Sequence, residues 1–197
     1  MNTTSLLLLS ALTVSVLWAI GAYNRLVRLR NDIANAFALI DVQLKRRHDL
    51  IPNLVEVARR FLSHERDTLE RVTAARAQAM AATDLARSKP LEEGAIKSLT
   101  MAESSLASAM GRFQAVVESY PDLKADQHMR DLSEELTHTE NKIAFARQYF
   151  NDATLLYNNA AEAFPTRIVS GVFGFKSAAM LQATTSETER EPVKVSF

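Results

Sequence analysis

The side chains that could do chemistry are few in this sequence and spread along it. The four histidines, His48, His64, His128 and His138, are scattered and form no His-x-x-x-His pair at metal-ligand spacing. Cysteine is absent, which excludes a thiolate metal cluster and a disulfide framework. No serine stands in a Gly-x-Ser-x-Gly nucleophile elbow. Glu134 and His138 lie one helical turn apart, a spacing that reads as a solvated pair on a helix surface. The sequence therefore nominates no catalytic residue, no metal site and no cofactor. What remains is a group of charges around one break in an apolar pattern. Arg47 stands where the surrounding spacing calls for a hydrophobe, and Asp41, Asp49, Glu140 and Arg147 are its candidate polar neighbours. Assembled, they offer a buried ion-paired layer. The Arg47, His48, Asp49 and Glu140 group is the one cluster that acid-base hydrolysis could use.

The elements that must position these residues are helical. Among 197 residues there are five glycines and five prolines, while Ala, Leu, Glu, Arg and Gln abound. A turn-rich β chain and a glycine-cradled phosphate site are disfavoured. Lys and Arg total 23, as do Asp and Glu, so the chain lacks the basic excess of a nucleic-acid binder. Nothing indicates a small-molecule substrate.

The first 24 residues carry no charged side chain, and residues 5–22 form an apolar run spanning about 27 Å as a helix, enough for a bilayer core. Trp18 and Tyr23 suit the headgroup zone, and Arg25, Arg28 and Arg30 follow as lipid-facing basic residues. Positive charge after the run places residues 1–4 outside and the remainder in the cytoplasm. A cleaved signal peptide is the rival reading, since Ala19-Ile20-Gly21 is a small-x-small site, but its basic leading region is missing.

Beyond the run, coiled-coil-like heptads organise the chain. Ile33, Phe37, Ile40, Leu44, Arg47, Ile51, Leu54, Ala58 and Phe61 alternate by four and three, in phase across Pro52. That register predicts one long, kinked helix over about 23–62, continuous with the apolar run. The alternative is two helices with Pro52 in the first turn of the second. A polar stretch at 63–68 weakens the stripe, which resumes at Leu69, Val72, Ala75 and Ala79. Ser88 is a candidate cap with Pro90 in the first turn of the next helix. A further stripe runs from Ala95 to Tyr120, where Pro121 ends it. The last runs from Leu132 to Phe164, before Pro165. The expected architecture is all-α: a transmembrane helix, then an elongated antiparallel bundle of three to four long helices over 23–164. A short C-terminal helical piece at 165–182 and a polar tail at 183–197 follow.

Charge is segregated along the chain. Positions 25–47 hold six basic residues against two acidic, and positions 118–140 hold seven acidic against two basic. Pairing the first and last long helices antiparallel, with Leu26 beside Ala163, sets Arg47 near Glu140, Asp41 against Arg147 and Asn31 against Asn158. Arg47, Thr139 and Glu140 then form one polar layer, which specifies register or forms a ligand site.

The run Asp41-Val42-Gln43-Leu44-Lys45-Arg46-Arg47-His48-Asp49-Leu50-Ile51-Pro52-Asn53-Leu54-Val55, with Tyr23-Asn24-Arg25-Leu26-Val27 before it, resembles the LemA family. So do His64-Glu65, Ala75-Arg76, Tyr120-Pro121-Asp122-Leu123-Lys124-Ala125, Thr139-Glu140-Asn141-Lys142-Ile143-Ala144, Tyr157-Asn158 and Phe164-Pro165. The resemblance implies a bacterial inner-membrane protein with a short outer N-terminus and a cytoplasmic helical bundle. It supplies no catalytic residues. Two positions depart from the family pattern: Arg60-Phe61-Leu62 lacks the glycine-aromatic pair, and Met180-Leu181 replaces an aromatic pair.

The function expected is that of a membrane-anchored scaffold or protein-interaction module, acting on a protein partner or as a homo-oligomer through polar faces that include Asn31, Asn35, Asn151, Asn158 and Asn159. The alternatives are a rod that binds or shapes anionic membranes, and an accessory subunit to membrane proteolysis. Enzymatic activity and nucleic-acid binding are not expected.

Overall fold

The computed structural model describes residues 3–62 and 65–182. All regular elements among them are helices: α1 (Thr3–Arg59), α2 (Arg66–Ser88), α3 (Glu93–Ser119), α4 (Pro121–Ala125), α5 (Gln127–Glu162) and α6 (Thr166–Phe173). Four are long, which fills in the helix count. The tail at 183–197 lies outside the described residues, as do Ser63 and His64.

α1 runs unbroken through Pro52 for 57 residues, about 85 Å at 1.5 Å per residue. Proline has no N–H to offer the carbonyl four residues back, which here is that of His48. Arg76 of α2 fills that gap, its Nε donating to the His48 oxygen. The bond that proline removes from the helix thus becomes a tie between helices. α1 ends three residues sooner than its stripe predicts, tightening into i to i+3 bonds from Arg60 to Val57 and from Phe61 to Ala58. Its N-terminal part is long and apolar enough to cross a membrane, and almost all of it is exposed.

The Ser88-Lys89-Pro90 break falls where expected but is built differently. Ser88 is the last residue of α2, its hydroxyl donating to the Leu85 carbonyl, and α3 begins only at Glu93. The residue before proline is pushed out of the α region, so Lys89 stops α2 and Pro90 sits in a turn closed by Glu92 N–H to the Lys89 carbonyl. At Pro121 the prediction and the structure agree: Tyr120 is extended and Pro121 occupies the first position of α4. Asp126 then caps α5 by accepting from Met129 N–H at 3.0 Å.

α5 packs antiparallel along α1. Phe37 meets Phe150 edge-on at 5.9 Å, and Arg47 meets Glu140, so paired positions add to 187 rather than the expected 189. The core falls into two apolar clusters. One joins Ile33, Phe37, Ile40 and Leu44 to Ile96, Leu99, Ile143, Phe150 and Tyr157. The other joins Ile51, Leu54 and Ala58 to Val72, Leu106, Phe113, Leu123 and Met129. Between them, at one level of the bundle, lies a layer of buried polar side chains.

The C-terminal piece is helical only as far as Phe173, not over 165–182. Gly174 takes φ +70, a left-handed conformation that ends α6. Residues 175–182 then run without regular structure back along α5.

Candidate functional site: a polar layer and the strap that closes it

Arg47, His48, Glu103 and Thr139 are all buried between the two apolar clusters. Arg47 sits on the α1 stripe and reaches two carboxylates. One guanidinium nitrogen donates to Glu140 Oε1 at 2.9 Å, and the other faces Glu103 Oε2. Glu103 comes from α3, and its second oxygen lies 3.3 Å from His48 Nε2. A carboxylate accepts only, so this contact requires the proton on Nε2. Thr139 is at the expected level, but its hydroxyl donates to the Glu135 carbonyl of its own helix and adds nothing to the layer.

The layer opens on one side into a cleft of about 40 Å³, room for a few waters. Arg47, Glu103, Glu140 and Arg147 are its charged lining, over a floor of Ile40, Leu44, Leu99 and Ile143. Burial lowers the Arg147 pKa, as does the Arg47 charge, while Glu140 opposes them. Two arginines and two carboxylates thus balance within one cleft. Thr100 also lines the cleft, its hydroxyl donating to the Ile96 carbonyl of its own helix, and among the described residues no three His, Asp or Glu side chains converge on a metal position.

His48 is held neutral. Burial lowers its pKa from 6.5 to about 4, with Arg47 and Arg76 pushing the same way and Asp49 and Asp84 opposing. The unfolded chain takes up this proton near pH 6.5, whereas the folded one resists it until about pH 4, so acid favours unfolding across that window. From pH 7 to pH 5 the layer should lose about 2 kcal/mol of stability at 1.36 kcal/mol per pKa unit. Denaturant melts of the detergent-solubilised protein should show this slope in the wild type and not in His48→Gln. Equal slopes would remove His48 as the cause.

Two residues expected in this layer lie elsewhere. Asp41 does not meet Arg147. It accepts two bonds from Arg87 of α2, at 2.9 and 2.8 Å, because its face of α1 turns towards α2 and away from α5. Burial is slight there, and the paired Asp41 raises the Arg87 pKa. Asp49 is exposed and lines a separate shallow groove with Lys45, Thr83 and Asp84. Arg25, Arg28 and Arg30 are exposed or nearly so, in the turns just after the apolar run. Arg46 pairs with Glu135 of α5 at 2.5 Å.

Sequence reasoning missed Glu103 and the strap. Leu99, Glu103 and Leu106 also follow four-three spacing, but Ala102 filled the stripe and hid the carboxylate. A buried arginine needs a buried carboxylate, and that requirement was the available signal.

The strap is held by its main chain. Asn158 donates to the Ala178 carbonyl and accepts from its N–H, both at 2.9 Å. Asn151 makes the same pair of bonds, also 2.9 Å, with Leu181. Seven residues of helix and three of extended chain both span about 10 Å, so the two ladders match in pitch. The Tyr157 hydroxyl adds a bond to the Lys176 carbonyl, and burial raises its pKa. Asn151 and Asn158 are therefore consumed inside the molecule and not displayed to a partner. Asn31 cannot meet Asn158 as the sequence register proposed. Leu181 and Gln182 close one side of the charged cleft.

The sequence profile of the LemA family matches residues 36–197, a span holding the whole polar layer and the strap. Protein LemA of Metamycoplasma hominis is 27% identical over 187 residues, covering 94% of this chain and 80% of that protein. Magnetosome protein MamQ 2 of Paramagnetospirillum magneticum is 25% identical, over 90% of this chain and 72% of that protein. Magnetosome protein MamQ of Magnetospirillum gryphiswaldense is also 25% identical, over 78% of this chain and 62% of that protein. With a profile match over most of its length and an all-helical bundle built around the block at 41–55, the chain belongs to the LemA family.

Proposed function

We propose that this protein is a single-pass membrane anchor carrying a helical rod on the cytoplasmic side of the bacterial inner membrane, where the α1–α5 face docks protein partners. The simplest partner is a second copy. The observation that carries this reading is an apolar stripe exposed along α1 and α5. Val42 (61% exposed) and Leu39 on α1 stand level with Phe145 (75% exposed) and Tyr149 on α5, and Leu156 extends the same face of α5. Arg46 and Glu135 bridge the two helices beside it. Isolated exposed hydrophobes are ordinary, but a contiguous set on two adjoining helices marks an interaction surface. Chains anchored side by side in one bilayer present these stripes in parallel, which suits a self-complementary two-fold contact. The anchoring rests on α1, with Arg25, Arg28 and Arg30 giving the inward orientation. The likeness to magnetosome proteins fits a role at a membrane.

Size-exclusion chromatography with light scattering, on full-length protein extracted in mild detergent, tests the proposal. The wild type should run as an assembly, and Val42→Asp with Phe145→Asp should dissociate it with little change in melting temperature, since both side chains are exposed. A wild-type monomer with no co-purifying protein overturns the proposal, as does an assembly that ignores both substitutions.

A further inference from the structure

α6 sits where α1 leaves its apolar run. α5 returns along α1 until Ala160 and Ala161 pack on Leu26, only four residues beyond Ala22. That is about 6 Å of helix. The chain then turns at Phe164 and Pro165 into α6, whose end packs against α1. Phe173 and Phe175 stack edge-on against Tyr23, with ring centroids 4.9 and 5.5 Å away. Residues 3–18 are all exposed, but Ala19 is half-buried and Ala22 buried, in line with Leu26 on one face of α1. This end of the bundle therefore covers the last turn of the run itself.

The outer side of this piece is apolar. Phe164 is 84% exposed, Ile168 59% and Val172 75%, at intervals of four, while Val169 and Ser170 face inward. Between positions 164 and 175 Arg167 is the one charged residue. Exposed Arg25, Arg28 and Arg167 stand close by.

We infer that α6 is a second membrane contact, an interfacial helix that beds Phe164, Ile168 and Val172 into the headgroup and upper acyl region of the leaflet from which α1 emerges. This rests on the proposed anchoring by α1. A short helix apolar outward, set level with the end of a spanning segment, gains by burying that face shallowly in the bilayer. The neighbouring arginines complement anionic headgroups. With α1 crossing and α6 lying flat, the rod is fixed at two points, so it is held in one attitude to the membrane instead of swivelling on one helix.

The test reads both contacts in one sample. Full-length protein is reconstituted into phosphatidylcholine–phosphatidylglycerol vesicles whose lipids carry bromine either near the headgroup or near the chain end. Trp18, the single tryptophan, reports α1. A nitrobenzoxadiazole label on Val172→Cys, in a chain otherwise free of cysteine, reports α6. The same label on Met101→Cys, exposed on α3, is the control. The inference expects the Val172 label to be blue-shifted and quenched, more by shallow than by deep bromine, with the Met101 label unaffected. Quenched Trp18 beside an unquenched Val172 label overturns the α6 contact and leaves the anchor standing, whether the face is bare or covered by protein. Unquenched Trp18 overturns the anchor and the inference with it.

Discussion

Replacing Arg47 by methionine while Glu103 stays in place should cost the fold about 3–5 kcal/mol, because a buried carboxylate is left without its cation. Arg47 also holds Glu140, but that residue is half-exposed and can turn to water. Glu103 is buried between the two apolar clusters, where Arg47 and His48 are its ion-pair partners among the described residues. The double change Arg47→Met with Glu103→Leu should recover most of the loss, since apolar groups of similar volume replace a buried pair at little or no cost. The single variant carries a second signature. With Arg47 gone, protonated His48 is the cation left beside Glu103, so the deficit should shrink as pH falls from 8 towards 5. Denaturant melts of the three proteins at both pH values check this. A single variant as stable as the wild type, or a double variant as damaged as the single, would mean the layer does not hold the bundle as described.

The second large effect is local. Asn151→Ala with Asn158→Ala removes four hydrogen bonds that tie the strap to α5, at about 1 kcal/mol net for each. The strap should loosen by about 2–4 kcal/mol, which raises amide exchange at Ala178 and Leu181 by about thirtyfold to a thousandfold at 1.36 kcal/mol per decade. The melting temperature should move little, because the helices do not depend on the strap for their own bonds. Release also uncovers the charged cleft at Leu181 and Gln182. Hydrogen exchange read by mass spectrometry on the peptide covering 176–182 decides the matter. Unchanged exchange would show that packing of Ala178 and Leu181, not the asparagine ladder, holds the segment.

Which features were readable in the sequence follows from what holds each of them. The long helices bury one face against neighbours, and that leaves a heptad period readable without coordinates. The period kept its phase across Pro52, and α1 indeed passes through it. Pro121 marked a boundary for a steric reason that needs no context. Arg47 was legible because a charge in an apolar stripe is an anomaly. Its main partner was not, because Glu103 shared α3 with an alanine that fitted the stripe better. Asp41 was paired with the wrong helix because α1 is flanked by both α2 and α5, and spacing along α1 does not say which neighbour a given face meets. The strap was illegible for a deeper reason. Asparagine side chains hold its main chain, so its own residues carry almost no pattern, and a helix over 165–182 was the natural but mistaken reading. Arg76 belongs to the same class, since its acceptor is a carbonyl freed by a proline 24 residues earlier.

On the proposed function, the exposed α1–α5 face is where this membrane-anchored rod meets other proteins. The most direct measurement is a cysteine-directed photo-crosslinker on Phe145→Cys, in full-length protein expressed in its native membrane, with Met101→Cys on the opposite pair of helices as comparison. The claim predicts a discrete crosslinked product from position 145, either a dimer of this chain joined near Val42 and Phe145 or a conjugate with one membrane neighbour, and none from position 101. No product from position 145, or the same products from both positions, would contradict it.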